Sequence, residues 1–378
     1  MLPNGWILCK IKDIQTVEVQ NGFSPLCVEE PTDRKSLSLG ALTGDSLDLN
    51  QQKSISVKAV MPSHSLLRKN DILVSRSNTK DKVGRAGLVQ SDVEKIYYPD
   101  LMMRFQVDAK KADCRFVTLC LQSPAGRRYF ECSAAGTSLS MVKINKNILE
   151  SFPIMLPPLS EQKKIAETLS VWDKAIEKTE KLIEAKILSM QRALIDFFND
   201  HLDNVVNLGD LFGGEIIIEK GRTLLKKQTN GGGIPIVAAG QSYSGYHNEY
   251  THNIPTITVS SSGAYAGFVW YHSEPIWASD CSVLHTKKIN LKYLFYFLKK
   301  EQEKIYKMQS GGAQPHIYAK DLKQLLFPII DNRDQNNMVS LFDLLDEEIS
   351  ILKRQLDNYK KQKQGLMQKL LSGQWRVK

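Results

Sequence analysis

Apolar residues recur in alternating steps of four and three along residues 152–198. This alternation is the heptad period of a helix that buries one narrow seam. Glycine and proline are missing from residues 159–198, so the sequence predicts one uninterrupted helix, about 55–60 Å long at 1.5 Å per residue. Such a helix is much longer than an ordinary globular one. Its seam positions are Ile165, Leu169, Trp172, Ile176, Ile183, Met190, Ala193 and Phe197, with Thr179 and Lys186 in the two gaps.

The same pattern returns near the end of the sequence, from Phe327 onward. Each seam position there lies 173 residues after its counterpart in the first stretch. Ten positions in one register indicate an internal duplication. The second seam consists of Met338, Phe342, Leu345, Ile349, Leu352, Leu356, Tyr359, Lys363, Leu366 and Leu370.

The segments outside the two helices also repeat, although more loosely. Residues 70–89 read as two strands joined by a polar, basic turn, and residues 116–130 read as a helix. In the second half, residues 254–272 parallel the first of these regions. Ser279-Asp280 falls where Pro99-Asp100 fell. The whole half is therefore duplicated, with its helix closely kept and its globular part strongly diverged.

These patterns predict an α+β protein of four segments. Residues 1–158 form a first head, residues 159–200 a first long helix, residues 201–333 a second head and residues 334–378 a second long helix. Because two equivalent halves follow each other along the chain, a pseudo-twofold arrangement is expected. The two long helices would then pack antiparallel as a coiled coil and hold two mixed α/β heads apart.

Composition and charge narrow the classes of function. Hydrophobic residues make up 42% and charged residues 24% of the chain, as in ordinary folded domains. The formal net charge is +9, and most of the excess lies in residues 1–150 and 201–326. A diffuse basic excess is moderate evidence for a polyanionic partner, and a solvated basic surface is the alternative.

The same survey bears on cellular location. The sequence has no run of about 18 apolar residues that would predict a membrane span. Its first residues lack the apolar core of a secretory signal. The six cysteines form no Cys-x-x-Cys pair. We therefore expect a cytoplasmic protein with reduced thiols and without a zinc site.

Catalytic chemistry finds little support in the sequence. Asp100, Asp108 and Lys110 fit the loose pattern of a magnesium-dependent nuclease, but the pattern is short and its counterpart in the second half lacks the second carboxylate. The glycine-rich segments at 231–233 and 311–312 lack the residues of a phosphate-binding loop. We predict a chain that is not an enzyme and that binds no cofactor or metal of its own.

Residues suited to nucleic-acid recognition cluster in predicted loops of both heads. Arginine and asparagine can pair bidentately with guanine and adenine edges, and lysine neutralises phosphate. An ordinary basic hairpin is the alternative in the first head, and core aromatics are the alternative in the second. The first-head candidates are Ser75, Arg76, Asn78, Lys80, Lys82 and Arg85. The second-head candidates are Gln241, Ser242, Tyr243, Ser260, Ser261, Ser262, Tyr265, Gln314 and His316.

Two motifs resemble a known family. LPPLSEQKKIAETLSVWDKAIEK at 156–178 and QKQGLMQKLLSGQWRVK at 362–378 are similar to the two conserved regions of type I restriction–modification specificity subunits. The resemblance covers the whole chain as variable region, conserved helix, variable region and conserved helix. The second repeat departs from the pattern, because it begins FPIIDNRDQ where the family usually has a Pro-Pro-Leu-x-Glu-Gln run.

The resemblance implies a division of labour. Each head would be a target recognition domain that reads one half of a split, asymmetric double-stranded DNA sequence. The helices would act as a spacer and dock two modification (methyltransferase) subunits. Those partners would carry S-adenosylmethionine, and restriction subunits, where present, would add ATP and Mg²⁺. We expect Lys174, Lys178 and Lys181 to lie outside the seam and to face the methyltransferase partners.

Two other readings stay open at this level. One is a free-standing magnesium-dependent nuclease built on the Asp100 pattern, and the other is a coiled-coil scaffold without a DNA role. A DNA reader with a rigid spacer would recognise two short blocks separated by a fixed gap. Inserting four residues into one helix should then change the gap and leave both blocks unchanged.

Overall fold

The computed structural model describes residues 2–136, 141–224, 231–312 and 314–377. The chain forms two compact units, Met1–Lys178 with Gln355–Lys378, and Thr179–Arg354. Each unit therefore contains one head and a part of both long helices. The mixed heads and the repeated long helices confirm the predicted α+β class. Among the described residues, no helix combines the length and apolar character needed to cross a membrane.

The two long helices are α5 (Leu159–Asn199) and α9 (Asn332–Leu371). Within the first unit they run antiparallel, because Asp173 of α5 contacts Lys363 of α9, whereas Glu161, earlier in α5, contacts Arg376, beyond the end of α9. In the second unit, Lys186 pairs with Glu348 at 2.8 Å. The four-segment division of the chain remains a prediction.

Every predicted seam position is buried or half-buried. Towards the end of α5, however, the most buried residues are Leu194 and Phe198, one position after the predicted Ala193 and Phe197. A straight α-helix drifts by about 20° per heptad relative to a strict seven-residue repeat. In addition, Phe198 packs on Tyr293 of the second head, with ring centroids 5.4 Å apart. Contact with the head thus displaces the seam where the helix meets it.

In its described residues, the first head contains three sheets and a two-stranded ladder that joins its ends. The ladder pairs β1 with β12 from Ile7↔Leu156 to Lys10↔Pro153. The sheet orders are β2-β10-β6-β8, β3-β5-β4-β9 and β7-β11. The strands are β1 (Ile7–Lys10), β2 (Gln15–Asn21), β3 (Cys27–Val28), β4 (Lys35–Leu37), β5 (Gln52–Ile55), β6 (Ile72–Ser75), β7 (Ser77–Asn78), β8 (Ala86–Leu88), β9 (Ile96–Tyr97), β10 (Met102–Val107), β11 (Val142–Lys143) and β12 (Pro153–Leu156). The helices are α1 (Ile11–Ile14), α2 (Cys114–Gln122), α3 (Pro124–Ser133) and α4 (Lys146–Glu150).

The second head repeats most of this plan. Its end ladder pairs β13 with β21, and its main sheet has the order β14-β20-β17-β18. A three-stranded sheet, β16-β15-β19, completes it. The strands are β13 (Val205–Asn207), β14 (Ile216–Lys220), β15 (Ile234–Val237), β16 (Tyr246–His247), β17 (Thr256–Ser260), β18 (Val269–His272), β19 (Trp277–Ala278), β20 (Cys281–Thr286) and β21 (Leu326–Pro328). The helices are α6 (Leu291–Lys300), α7 (Gln302–Lys307) and α8 (Ala319–Leu322).

The internal repeat of the sequence is visible in the main sheets, because the two heads arrange their equivalent strands in the same order. In both heads the first strand of the hairpin, β6 or β17, lies between a long antiparallel strand, β10 or β20, and its hairpin partner, β8 or β18. The predicted strands at 70–89 and 254–272 are confirmed as these hairpins. The helical prediction at 116–130 is confirmed as two helices, because Ser123 ends α2 and caps α3.

Each head has its own apolar core. In the first, α2 and α3 pack their apolar faces on the main sheet around Phe116 and Phe130, and the first part of α5 joins the same cluster through Ile165 and Leu169. In the second, α6 contributes Tyr293 and Phe297 to a cluster that also contains Phe342 of α9. The long helices are therefore part of the core of each unit.

Candidate nucleic-acid interface

In the first head, a turn of sequence Ser-Arg-Ser begins at the last residue of β6. Ser75, its first residue, pairs with Met102 across the sheet. The Ser75 N–H donates to the Arg85 carbonyl, and the Gly84 N–H donates back to the Ser75 carbonyl, both at 2.8 Å. Gly84 has a φ of +72°, and a Cβ there would meet the Phe130 ring at 2.3 Å, so this position requires glycine.

The next residue, Arg76, is clamped through its backbone by two other segments. Its N–H donates to the Leu101 carbonyl at 2.8 Å, and its carbonyl accepts from the Ile144 N–H at 2.9 Å. Ser77 then pairs with Lys143 in the β7–β11 ladder. Three parts of the chain that are distant in sequence thus meet at this turn.

The second head builds the same junction with the sequence Ser-Ser-Ser. Ser260 pairs with Cys281 across the sheet. Its N–H donates to the Phe268 carbonyl at 3.0 Å, and Gly267, with a φ of +89°, donates back at 2.7 Å. The contacts match those of Ser75 bond for bond.

The match extends to the two clamping segments. Ser261 donates to the Asp280 carbonyl at 3.1 Å and accepts from the Ile317 N–H at 3.0 Å. Ser262 pairs with His316. Arg76 and Ser261 therefore occupy the same backbone position in their heads, and so do Lys143 and His316.

This register corrects one detail of the sequence comparison. Met102 and Cys281 begin equivalent strands and pair with equivalent serines. Asp280 therefore corresponds to Leu101, and it does not correspond to Asp100 as the sequence spacing suggested. The correspondence expected from the sequence was therefore wrong by one residue. The loops that precede these two strands differ in length, and short motifs do not reveal such a difference.

The predicted residues of the first head separate by exposure. Ser75 is fully buried, and its hydroxyl has no hydrogen-bond partner in the described part of the chain. Arg76 is half-buried, and its Nη1 donates to the Asp100 carbonyl at 3.3 Å. Lys80 and Lys82 are exposed on the loop that follows, and Asn78 and Arg85 are half-buried.

A second arginine, not among the predicted residues, anchors this basic loop. Arg127 of α3 donates to the Val83 carbonyl at 2.7 Å and to the Asp81 carbonyl at 3.1 Å. Burial lowers the pKa of Arg127, and Glu131 beside it partly offsets that effect. The loop that carries Lys80 and Lys82 is thus tied to the body of the head through its backbone carbonyls.

The predicted residues of the second head fall into two groups. Ser260, Ser261, Ser262 and His316 meet at the junction, where the Ser262 hydroxyl donates to the Asp280 carboxylate. Ser260 and Ser262 are buried, whereas Ser261 is half-buried. Gln314, two residues before His316, is exposed.

The other group surrounds β15 and β18. Gln241, Ser242 and Tyr243 are exposed on the loop after β15. The Tyr243 ring stacks on Trp270, with centroids 4.8 Å apart and planes 15° apart. Tyr265 is exposed on the hairpin loop.

A tyrosine of α7 connects two loops of this second group. Tyr306 hydrogen-bonds Gln241 and interacts electrostatically with Tyr265. Burial raises the pKa of Tyr306. The loop after β15 and the hairpin loop therefore share a neighbour on the same helix.

A buried histidine lies beneath the aromatic stack. His272 is 4% exposed, its Nε2 is 2.9 Å from the Thr258 hydroxyl, and its ring centroid is 4.8 Å from that of Trp270. Burial lowers the pKa of His272 to about 4. The ring is therefore neutral near pH 7 and supports the stack as a packed aromatic group.

Of the residues of the nuclease alternative, Asp100 lies beside the junction, where its carbonyl accepts from Arg76, whereas Asp108 and Lys110 make none of the junction contacts described above. Asp100 accepts a hydrogen bond from the Ser24 hydroxyl, and the Asp108 carboxylate accepts from the Lys110 N–H at 2.9 Å, as in a local turn. Within the residues that the structure describes, no three His, Cys, Asp or Glu side chains are grouped so that they could hold a metal ion.

On the long helix α5, Lys174, Lys178 and Lys181 are exposed.

Sequence reasoning missed Lys143. It is exposed beside Ser77 and takes the place that His316 has in the second head. The signal was present, because 143 and 316 are separated by the same 173 residues as the two helix seams. Extending that spacing upstream of the helices would have identified it.

A family model described as the type I restriction modification DNA specificity domain matches residues 3–186 and again residues 203–359. The type I restriction enzyme EcoEI specificity subunit of Escherichia coli is 28% identical over 211 residues, which cover 54% of this chain and 34% of that protein. The chain thus spans about a third of that relative's length. The putative type I restriction enzyme MjaX specificity subunit of Methanocaldococcus jannaschii is 20% identical over 414 residues, covering 100% of this chain and 95% of that protein.

Solved structures give a corresponding result. The crystal structure of a type I restriction–modification system S subunit from M. genitalium matches with a TM-score of 0.62 at 20% identity, covering 98% of this chain and 97% of that one. A structure from work on complex assembly and conformational transition of the type I R-M system matches with a TM-score of 0.59 at 16% identity, covering 98% of both chains. These likenesses show a shared fold.

Proposed function

This chain belongs to the type I restriction modification DNA specificity family, and from that premise we propose that its two heads read two separate blocks of one double-stranded DNA target. The observation that carries the proposal is the repeated junction. Arg76 and Ser261 are held by equivalent backbone hydrogen bonds, and their side chains differ. Two readers built on one scaffold with different side chains would recognise different bases, which gives an asymmetric target.

Phosphate contacts would supply much of the affinity. Lys80, Lys82 and Lys143 are exposed beside the first-head junction, where they could neutralise phosphates. Affinity should then fall steeply as salt rises, with a slope of about −0.9 for each phosphate neutralised. A salt titration of target binding measures that slope directly.

We propose that the outer faces of the long helices dock two modification subunits. The seam residues of both helices are covered within the units, whereas Lys174 and Lys178 are exposed on α5. Duplication of the helix offers two related docking surfaces. In this proposal S-adenosylmethionine is bound by those partners, ATP and Mg²⁺ belong to restriction subunits where these join, and this chain performs no catalysis.

Exchange of one head tests the two-block proposal. The chain is co-expressed with the modification subunit from its own genome, and methylated sites are mapped genome-wide. Replacing residues 201–326 with the corresponding region of another family member should change one block only. If both blocks change, the heads do not read independently.

The competing functions predict different results in simple assays. A magnesium-dependent nuclease would cut plasmid DNA as a purified single chain, and substitution of Asp100 and Asp108 would abolish the cutting. A scaffold without a DNA role would co-purify with neither DNA nor a methyltransferase. The proposed subunit should leave plasmid intact and co-purify with the modification subunit.

A further inference from the structure

The side chain at the centre of the junction is the most informative difference between the two heads. The turns are Ser75-Arg76-Ser77 and Ser260-Ser261-Ser262, and the flanking serines are identical. All four flanking serines are buried, whereas the central residue is half-buried in both heads. The flanks therefore belong to the scaffold, and the central residue is the one that varies while its backbone is fixed.

The backbone at this position is held more tightly than in an ordinary loop. Each central residue donates one backbone hydrogen bond to the loop before β10 or β20. It accepts another from the segment before α4 or α8. The preceding serine is held on its other edge by the hairpin, through Gly84 or Gly267. A side chain on such a clamped backbone is presented in a defined direction, as base recognition requires.

In the first head this side chain is an arginine whose orientation is partly set. The Arg76 Nη1 donates to the Asp100 carbonyl at 3.3 Å. A guanidinium has five N–H donors in a planar fork, and this contact occupies one of them. Arginine paired with the O6 and N7 of guanine is the commonest specific contact in the major groove.

We propose that Arg76 is the specificity-determining residue of the first head and reads a guanine, and that Ser261 occupies the corresponding reading position in the second. This inference rests on the proposed two-block function. Serine is too short for the bidentate contact, so the two heads read different base pairs at the same place in their junctions. Lys143 in β11 and His316, which forms an isolated bridge, flank this position in the two heads.

The test uses the complex of the full chain with the modification subunit from its own genome. Methylated sites are sequenced from a random DNA library, first for the wild-type complex. Arg76→Ser, which installs the residue of the second head, should relax one position of one block, with discrimination for guanine falling by about 5- to 150-fold. Ser261→Arg should alter one position of the other block.

Matched variants separate reading from general affinity. Lys80→Ser removes an exposed charge from the loop that follows the junction and should lower methylation of all sites evenly, without relaxing any position. Arg76→Lys keeps the charge and loses the planar fork, so it should relax the same position as Arg76→Ser. It also decides the matter if the serine variant does not assemble.

The outcomes are distinguishable. The inference is overturned if Arg76→Ser and Arg76→Lys keep the wild-type block, or if they reduce methylation of every site equally. The proposed function itself fails in a different way, namely if the wild-type complex yields no two-block motif. A relaxed position confined to one block supports both.

Discussion

The side-chain oxygen of Gln162 accepts a hydrogen bond from the backbone N–H of Asp113 at 2.9 Å. Gln335, 173 residues later, makes the same contact with the N–H of Asn290 at 2.9 Å. Asp113 and Asn290 are the N-caps of α2 and α6, which are equivalent helices of the two heads. In each unit a buried glutamine on the first turns of a long helix therefore holds the start of the helix in its head.

The amide nitrogens complete the parallel. Gln162 donates to the Pro157 carbonyl at 2.8 Å, and Gln335 donates to the equivalent Ile330 carbonyl at 3.0 Å. The second repeat lacks the Pro-Pro-Leu run, yet it keeps this glutamine and its contacts. The glutamine is thus the part of the motif that attaches a head to its long helix.

Removal of that attachment should destabilise the first unit. Gln162 is fully buried, and its amide also donates to the Lys111 carbonyl at 3.1 Å. Gln162→Leu leaves the Asp113 N–H and the carbonyls of Pro157 and Lys111 without this partner, which should cost about 1–3 kcal/mol of unfolding free energy. Urea denaturation measures the loss. Gln362→Leu, at an exposed position of α9, is the matched control and should change stability by no more than about 0.5 kcal/mol. Equal effects of the two substitutions would contradict the attachment role.

A charged residue in the seam should show an asymmetric response. The Lys363 side chain is 7% exposed and pairs with Asp173, which is 44% exposed. Asp173→Asn leaves a buried ammonium without its counter-charge and should cost about 2–3 kcal/mol, whereas Lys363→Met should change stability by less than about 1 kcal/mol. Denaturation of both variants compares them.

A more exposed ion pair between the two long helices provides the control. Lys186 and Glu348 are 37% and 45% exposed, so Glu348→Gln should cost at most about 1 kcal/mol. If Lys363→Met proves as costly as Asp173→Asn, burial of the ammonium is not what makes the pair important.

The spacer model predicts that lengthening both helices by one heptad widens the gap in the DNA target by a fixed number of base pairs. One heptad is inserted into both helices, after Lys178 in α5 and after Arg354 in α9, so that the seam register is kept. Each helix lengthens by about 10.5 Å, and the gap between the blocks should grow by about three base pairs at 3.4 Å each. Methylome mapping reads the gap and the blocks together. The spacer model is contradicted if either block changes or if the gap stays the same.

Acid should destabilise the second unit through His272. Burial lowers the pKa of this residue from 6.5 to about 4, so the unfolded chain binds its proton first. The stability contributed by neutral His272 is complete above pH 6.5 and is lost as pH falls towards 4, by up to about 3 kcal/mol.

A neutral analogue isolates this contribution. His272→Gln can place an amide near the Thr258 hydroxyl and has no proton to gain in that range. The difference in unfolding free energy between pH 7 and pH 4.5 should therefore be smaller in the variant than in wild type. Identical pH dependences would show that His272 does not titrate on unfolding.

Some of the structure was accessible from local pattern and some was not. The hairpins at 70–89 and 254–272 were predictable because strand alternation and turn residues are properties of neighbouring positions. The β3-β5-β4-β9 sheet was not predicted, because its strands have two to four residues and pair across loops. Such short elements exist only through their distant partners.

The candidate site divides in the same way. Serine-rich and basic turns located the junction in both heads. Their composition could not tell that Ser75 and Ser262 would be buried while Arg76 and Ser261 would keep partial exposure. Burial at a turn depends on which distant segments close over it, here those around Leu101 and Ile144 in the first head.

The sequence by itself determined the duplication, the long helices and the seam, because a heptad repeat and a constant spacing of 173 residues are written along the chain. Only the tertiary structure decided that Arg76 matches Ser261, that Lys143 matches His316 and that two glutamines attach the heads to their helices. These matches rest on hydrogen bonds between remote segments. In the diverged heads such contacts preserve backbone geometry while side chains change, so they leave almost no trace in local sequence.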